Sequence, residues 1–157
     1  IVKLTRIVKL PINFHPRVGQ LLTCDFSKGF KPPEMVKASR PVLVLSTSVS
    51  QELVTVIPLR TVLPSPVEKY HYQIPMASMP QIHQYQDKQS WVKGDMLYTV
   101  GWHRLARISL GGRDSNGKRI YFTNKLSKQQ MSSIYTCVFI GLGITPDIIR
   151  GIGHKLD

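Results

Sequence analysis

The chain has 157 residues, of which 42% are hydrophobic and 8% aromatic, enough to fill the core of one domain without disulfides or metal. Its 21 lysines and arginines outnumber 9 acidic residues, which leaves a formal charge of +12. This charge favours an anionic partner: nucleic acid, an acidic protein and an anionic membrane surface are all open. Because no apolar run approaches the roughly 18 to 20 residues of a membrane span, we expect a soluble protein.

The two cysteines and the first residues bear on the compartment. Cys24 and Cys137 lie far apart in sequence without a CxxC pair, so neither a disulfide framework nor a zinc site is indicated. The opening residues alternate lysine or arginine with apolar residues, unlike a secretion signal. We therefore predict a cytoplasmic protein whose residues 1–18 form a basic surface arm.

The first third of the chain after this arm predicts three strands. Residues 19–26 alternate at the strand period of two. A connecting loop rich in glycine, proline and serine follows at residues 27–39. The aliphatic runs 40–48 and 52–59 then predict an antiparallel hairpin.

Prolines recur between residues 60 and 89. They limit pairing there to a short edge strand at 70–74 and predict an irregular stretch at 77–89. Further strands are predicted at 90–101, 107–112 and 118–124, the last two as a hairpin.

The period changes near Ser127. Ser127 and Gln130 have the spacing of a capping box, and residues 128–142 have apolar side chains at helical spacing. We expect Met131, Ile134, Val138 and Leu142 to face the strands, and a second short helix to begin near Thr145. The pattern predicts a mainly β fold, a small antiparallel β-barrel with a C-terminal amphipathic helix packed on it.

Motifs for metal or cofactor chemistry are missing from the sequence. The five histidines have no HxxxH or HExxH spacing, and neither a phosphate-binding glycine loop nor a GxSxG elbow occurs. We therefore expect no metal and no cofactor. Arg40 is the candidate that remains, because it opens a hydrophobic strand where its guanidinium can fork onto a phosphate. The alternative is a rim arginine paired with a surface carboxylate.

The motifs, taken in order, resemble the PemK/MazF-like toxins of type II toxin–antitoxin systems, in particular the YifN-type branch. The resemblance runs from about Gly19 to Gly143 and implies a domain at 19–143 followed by a short tail or helix at 144–157. It rests on GQLLTCDF, PPEMVK, RPVLVLS, LVTVIPLRT, YHYQIP, KGDMLYTV and RL before a capped helix.

The resemblance implies a CcdB-like or SH3-like barrel, a homodimer, and a metal-independent endoribonuclease that acts on single-stranded RNA and is neutralised by an antitoxin. It implies that Arg40 acts at the scissile phosphate, with Glu34 in the preceding loop and Thr61 after the next strand as further catalytic residues. Two departures stand out. Five residues separate Glu34 from Arg40 where the usual number is four, and Arg60 occupies the first hydroxyl position after Leu59.

The expected reaction uses the nucleophile that RNA itself supplies. An enzyme has to align the 2′-hydroxyl, remove its proton, stabilise charge on the phosphoryl oxygens and protonate the leaving 5′-oxygen. In this scheme Arg40 stabilises charge, Thr61 donates a neutral hydrogen bond, and Glu34 either acts as the base or orders the loop.

Six further residues are expected to contact RNA. They lie in the loop, at strand ends and in the strand that the resemblance places along the substrate groove: Lys31, Lys37, Arg60, Asp95, Tyr98 and Arg104. The aromatic residues Trp91, Trp102 and Tyr70 could stack unpaired bases, although core packing is their commoner role. Residues 104–128 carry seven lysines and arginines against one acid, Asp114, which suits phosphate tracking or an acidic antitoxin segment.

A competing hypothesis is a non-catalytic binder on the same barrel. It could be a gyrase poison of the CcdB type, or a relative reduced to binding RNA or a partner protein. The lengthened loop and Arg60 favour this alternative, whereas the PPEMVK and RPVLVLS motifs favour the nuclease.

Overall fold

The computed structural model describes residues 10–48 and 51–153, without the side chains of residues 149 and 151–153. Most of the predicted basic arm and the last four residues lie outside this description. The domain boundaries proposed from the sequence stay predictions.

The described chain consists of short strands followed by two helices. The strands are β1 (Leu21–Cys24), β2 (Arg40–Ser48), β3 (Leu53–Arg60), β4 (His71–Ile74), β5 (Ser90–Lys93), β6 (Tyr98–Gly101), β7 (Leu105–Ala106), β8 (Ser109–Arg113) and β9 (Arg119–Tyr121). The helices are α1 (Lys128–Gly141) and α2 (Pro146–Gly153). Within the described ranges, no helix has both the length and the apolar character required to cross a membrane.

Seven of the strands form one antiparallel sheet in the order β4-β5-β3-β2-β1-β7, with β6 also paired to β3. The predicted hairpin of β2 and β3 is confirmed, with Val42 opposite Pro58. The predicted edge strand is confirmed as β4, at one end of the strand order. The strands β8 and β9 pair only with each other and form a separate ribbon.

Both faces of the central strands are buried. In β2, Val42 and Val44 belong to one apolar cluster, while Leu43 and Leu45 belong to the other. A strand covered on both faces reads as a continuous apolar run, which explains why β2 lacks polar alternation. All four residues of β1 are likewise buried. Side chains alternate between its two faces as predicted, and each face packs against one of the two apolar clusters.

Helix α1 covers the face that contains Leu43 and begins as predicted. The Ser127 hydroxyl accepts a hydrogen bond from the Gln130 N–H at 3.1 Å, and the Gln130 side chain accepts one from the Ser127 N–H at 2.8 Å. Met131, Ile134 and Val138 are buried, which confirms three of the four predicted core contacts. The prediction for Leu142 is wrong: the helix ends at Gly141, and Leu142 is 54% exposed.

A close approach of two glycines fixes the turn between β5 and β6 against α1. A Cβ atom on Gly94 would overlap the carbonyl group of Cys137, and one on Gly141 would lie 2.5 Å from the Asp95 nitrogen. The turn at Gly94 also divides the single strand predicted at 90–101 into β5 and β6. The mainly β, antiparallel fold with a C-terminal helix is otherwise confirmed.

Candidate active site

Two arginines meet where β2 begins and β3 ends. The antiparallel register places Val42 opposite Pro58. Arg40 lies two residues before Val42 and Arg60 lies two residues after Pro58, and the two side chains are close enough for their charges to interact. Burial lowers the pKa of the Arg40 guanidinium, and the positive charge of Arg60 lowers that pKa further, as expected for neighbouring like charges.

The positive charge of this pair is not compensated within the described part of the chain. Arg40 is half-buried, and its Nε has no hydrogen-bond partner among the described residues. Among the described residues, the ion pair that the structure contains joins Arg150 to Asp147 in α2 and does not involve Arg40 or Arg60. The alternative expectation, a surface carboxylate bound to Arg40, therefore finds no carboxylate in the described structure. Converging guanidinium groups of this kind suit a phosphate group.

Tyr85 completes the cluster and was missed in the sequence. Its side chain is only 3% exposed and interacts electrostatically with Arg40, and its hydroxyl has no hydrogen-bond partner among the described residues. Burial raises the pKa of Tyr85 to about 12, so the phenol stays neutral near pH 7. Tyr85 lies in the irregular stretch between β4 and β5, where no periodicity marks a core position.

Thr61 follows directly after the last residue of β3. It is exposed and lies outside the sheet, so its side-chain direction is not set by the alternation of the strand. Thr61 borders an open cavity of about 500 Å³ with Trp91, the strand partner of Arg60. Arg40, Arg60 and Thr61 therefore occupy neighbouring positions at one end of the sheet.

The loop that leads into Arg40 is fastened at several points. The Phe26 N–H donates to the Lys37 carbonyl at 2.9 Å and closes the base of the loop. The Tyr98 hydroxyl accepts a hydrogen bond from the Met35 N–H at 3.1 Å. The rings of Phe26, Phe30 and Tyr98 pack edge to face, so this segment enters the sheet on an ordered path.

Arg104 holds the other side of the same loop. Its Nη1 donates to the carbonyl oxygens of Asp25 at 3.1 Å and Lys28 at 2.7 Å, and its guanidinium lies over the Phe30 ring. Tyr98 and Arg104 thus have contacts that stabilise the loop. Their expected contact with RNA stays a prediction.

Glu34 forms a local turn in the exposed part of the loop. Its carboxylate accepts a hydrogen bond from the Lys31 N–H at 2.9 Å, and its own N–H donates to the Lys31 carbonyl at 2.8 Å. Lys31, Glu34 and Lys37 are all exposed. Asp95, by contrast, lies in the turn against α1, so it belongs to a different contact region from this loop.

Neither a metal centre nor a reactive cysteine emerges from the described residues. No group of three histidine, cysteine or acidic side chains within them could hold a metal ion. Burial raises the pKa of the Cys24 thiol to about 12, so little nucleophilic thiolate forms near neutral pH. The chemistry available at the sheet end is that of guanidinium, hydroxyl and phenol groups.

Comparison with protein families places the chain among the PemK-like, MazF-like toxins of type II toxin–antitoxin systems. The family model matches residues 17–139, which include both arginines, the loop and most of α1. The chain therefore belongs to this toxin family, and the resemblance seen in the sequence is confirmed.

Two bacterial relatives agree with the YifN-type resemblance. The YifN protein of Escherichia coli (strain K12) is 29% identical over 115 residues, which cover 62% of this chain and 76% of that protein. An uncharacterized protein of Haemophilus influenzae is 30% identical over 103 residues, which cover 59% of this chain and 71% of the relative.

A solved structure supports the fold. A mycobacterial endoribonuclease in complex with its cognate antitoxin has a TM-score of 0.55 and 19% sequence identity, and the match covers 83% of this chain and 97% of that one. At this identity the likeness concerns the arrangement of strands and helix. It confirms the predicted fold class.

Proposed function

We propose that this toxin-family protein is an endoribonuclease that cleaves single-stranded RNA by attack of the 2′-hydroxyl, without a metal ion. The observation that carries the proposal is the pair of arginines at the sheet end, which has no compensating carboxylate among the described residues. Family membership supports the same activity, as does the endoribonuclease activity stated for the mycobacterial neighbour.

The proposed reaction forms a bond between the 2′-oxygen and phosphorus and breaks the bond from phosphorus to the 5′-oxygen. The 2′-hydroxyl proton passes to solvent water, and water supplies the proton that the departing 5′-oxygen takes up. The products are a 2′,3′-cyclic phosphate and a 5′-hydroxyl end. In the transition state, negative charge increases on the phosphoryl oxygens, where a positioned guanidinium contributes most.

Each predicted catalytic residue has a role in this proposal. Arg40 binds and stabilises the phosphoryl oxygens, since a planar fork can hold two oxygens at once. Arg60 supplies a second positive charge and Thr61 a neutral hydrogen bond. Glu34 orders the loop through Lys31, because its carboxylate already accepts a backbone hydrogen bond there. Lys31 and Lys37 are exposed and available to contact the RNA backbone.

An antitoxin and a second copy of the chain are the proposed protein partners. The ribbon of β8 and β9 has Arg113, Lys118 and Arg119 exposed, while the Asp114 carboxylate accepts hydrogen bonds from the Lys118 and Asn116 N–H groups. The ribbon therefore presents cations that suit an acidic antitoxin segment. A homodimer would extend the concave surface for RNA, and the YifN-type resemblance supports it.

The chemistry of the product ends tests the proposed reaction. Purified protein is incubated with single-stranded RNA in excess EDTA, and the new ends are mapped. We expect 5′-hydroxyl ends that polynucleotide kinase can label directly. Products with 5′-phosphate ends would contradict attack by the 2′-hydroxyl, and uncut RNA would favour the non-catalytic binder.

A further inference from the structure

An open cavity of about 500 Å³ adjoins the arginine pair. The cavity is lined by Thr61, Leu63, Met76, Trp91 and residues 87–89. Thr61 is the next residue after Arg60, and Trp91 is the strand partner of Arg60. The cavity therefore begins where the proposed phosphate site ends.

The polypeptide around this cavity is held in place. The Gln81 side-chain amide donates to the carbonyl oxygens of Met76 at 2.9 Å and Met79 at 2.8 Å. Met79 and Tyr85 are buried in the core and anchor the segment at two points. Tyr85 also interacts with Arg40, so the cavity wall and the arginine pair share one scaffold.

The last turn before β5 has an unusual backbone. Asp87 has a φ of 57°, in the left-handed region that residues with a Cβ seldom adopt, although aspartate tolerates it better than most. This conformation sets the direction of Asp87, Lys88 and Gln89 along the cavity. Backbone strain of this kind is often found at functional sites.

The lining combines apolar surface with free polar groups. Leu63 is 60% exposed and Met76 is 50% exposed, although both are large apolar side chains. The side chains of Asp87, Lys88 and Gln89 are exposed and have no hydrogen bond to another described residue. The cavity therefore offers both apolar contact and polar groups that can fix the orientation of a small ligand.

We propose that this cavity binds one nucleobase of the RNA, next to the phosphate held by Arg40 and Arg60. The proposal rests on the proposed nuclease function. In single-stranded RNA the bases are free to turn away from the strand and be recognised along their edges. The base lies against Leu63 and Met76, and the Gln89 amide, which can both donate and accept, reads its edge.

The position of the cavity favours RNA over other occupants. A strand whose phosphate lies at the arginine pair has to place an adjacent nucleotide within reach of Thr61. The Lys88 ammonium at the rim also suits a polyanion. A segment of an antitoxin is the competing occupant, and the test distinguishes the two.

The test compares Gln89→Ala and Met76→Ala with a matched control, Gln84→Ala, which is exposed on the same segment but does not line the cavity. Each protein cleaves a pool of random single-stranded RNA, and the 5′-hydroxyl ends are sequenced. We expect both cavity variants to reduce the base preference at one position beside the cut about tenfold, while Gln84→Ala retains it. Unchanged preference in both cavity variants would overturn the proposal.

The affinity of the protein for DNA oligonucleotides tests the base site without relying on RNA cleavage. Oligodeoxynucleotides lack the 2′-hydroxyl and cannot be cut by this mechanism, so their affinities can be measured even if the wild type proves inactive. Four oligonucleotides of one repeated base each should differ in affinity for the wild type, and Gln89→Ala should reduce that difference. Equal affinities for the wild type, or a difference in affinity that Gln89→Ala leaves unchanged, would contradict a base site.

Discussion

Arg60 takes the position after Leu59 where the resemblance to the toxin family implies a hydroxyl. In the structure it stands beside Arg40 and lowers the pKa of that guanidinium, which means that the two positive charges repel each other in the free protein. Such repulsion is reduced when an anion binds between the charges. We therefore expect Arg60 to contribute to RNA binding and to lower the stability of the free protein slightly.

The substitution Arg60→Gln separates these two effects. It removes the charge but keeps a long polar side chain, so we expect a higher KM for RNA together with an unchanged or slightly higher Tm. The matched control is Arg113→Gln on the exposed ribbon, which should leave KM at the cleavage site nearly unchanged. Kinetics on a short RNA and a thermal melt provide both readouts. A lower Tm with unaltered KM would contradict this role.

Glu34 can be tested with two substitutions that differ in one respect. Gln at this position keeps an oxygen that can accept the Lys31 N–H, whereas Ala removes it. If Glu34 orders the loop, Glu34→Gln retains most activity and Glu34→Ala loses more. The pH profile of kcat decides between the roles. Loss of activity in Glu34→Gln together with a changed acidic limb would identify a proton-transfer group instead.

The contact between the β5–β6 turn and α1 depends on two residues without side chains. A methyl group on Gly94 would overlap the carbonyl group of Cys137, which belongs to the helix backbone and cannot rotate away. We expect Gly94→Ala to cost about 3 kcal/mol or more and to lower Tm by roughly 6 °C or more. Ser132→Ala, on the exposed side of α1, is the control. A Gly94→Ala protein with wild-type Tm would show that the turn does not pack this closely.

Elements with local signals were predictable from the sequence. The β2–β3 hairpin, the edge strand β4 and the start of α1 follow from aliphatic runs, proline placement and the Ser127–Gln130 spacing, each of which acts over a few residues. The division of 90–101 into two strands was not predictable, because it depends on a contact with a helix about 45 residues later in the chain. The predicted burial of Leu142 was wrong because helical periodicity does not show where a helix ends.

The candidate site shows the same distinction. The resemblance carried by the motifs names Arg40, Thr61 and Glu34, whose roles stay predictions, and the pairing of β2 with β3 brings Arg40 near Arg60. Tyr85 could not be found in this way, because it comes from an irregular stretch and reaches the arginine only in the folded chain. The cavity beside Thr61 likewise depends on the path of residues 76–89 in three dimensions.

The charge of the whole molecule predicts how RNA affinity responds to salt. The chain has 21 lysines and arginines, and each one that neutralises a phosphate displaces a counterion. We expect the logarithm of affinity to fall linearly with the logarithm of salt concentration, with a slope of roughly −0.7 per phosphate neutralised. Fluorescence anisotropy with a short single strand measures it. Affinity that is independent of salt would assign the positive charge to a protein partner instead.

Arg40 is proposed to stabilise the negative charge that develops on the phosphate during cleavage. The most direct measurement is the rate of single-stranded RNA cleavage in EDTA by the wild type, Arg40→Ala and Arg40→Lys, with circular dichroism to confirm the fold. Removal of one preorganised donor typically costs about 100- to 1,000-fold in rate, and a single ammonium cannot hold two oxygens as a planar fork does. We predict cleavage by the wild type, a loss of that size in Arg40→Ala and little rescue by Arg40→Lys. Equal cleavage by a folded Arg40→Ala protein would contradict the account.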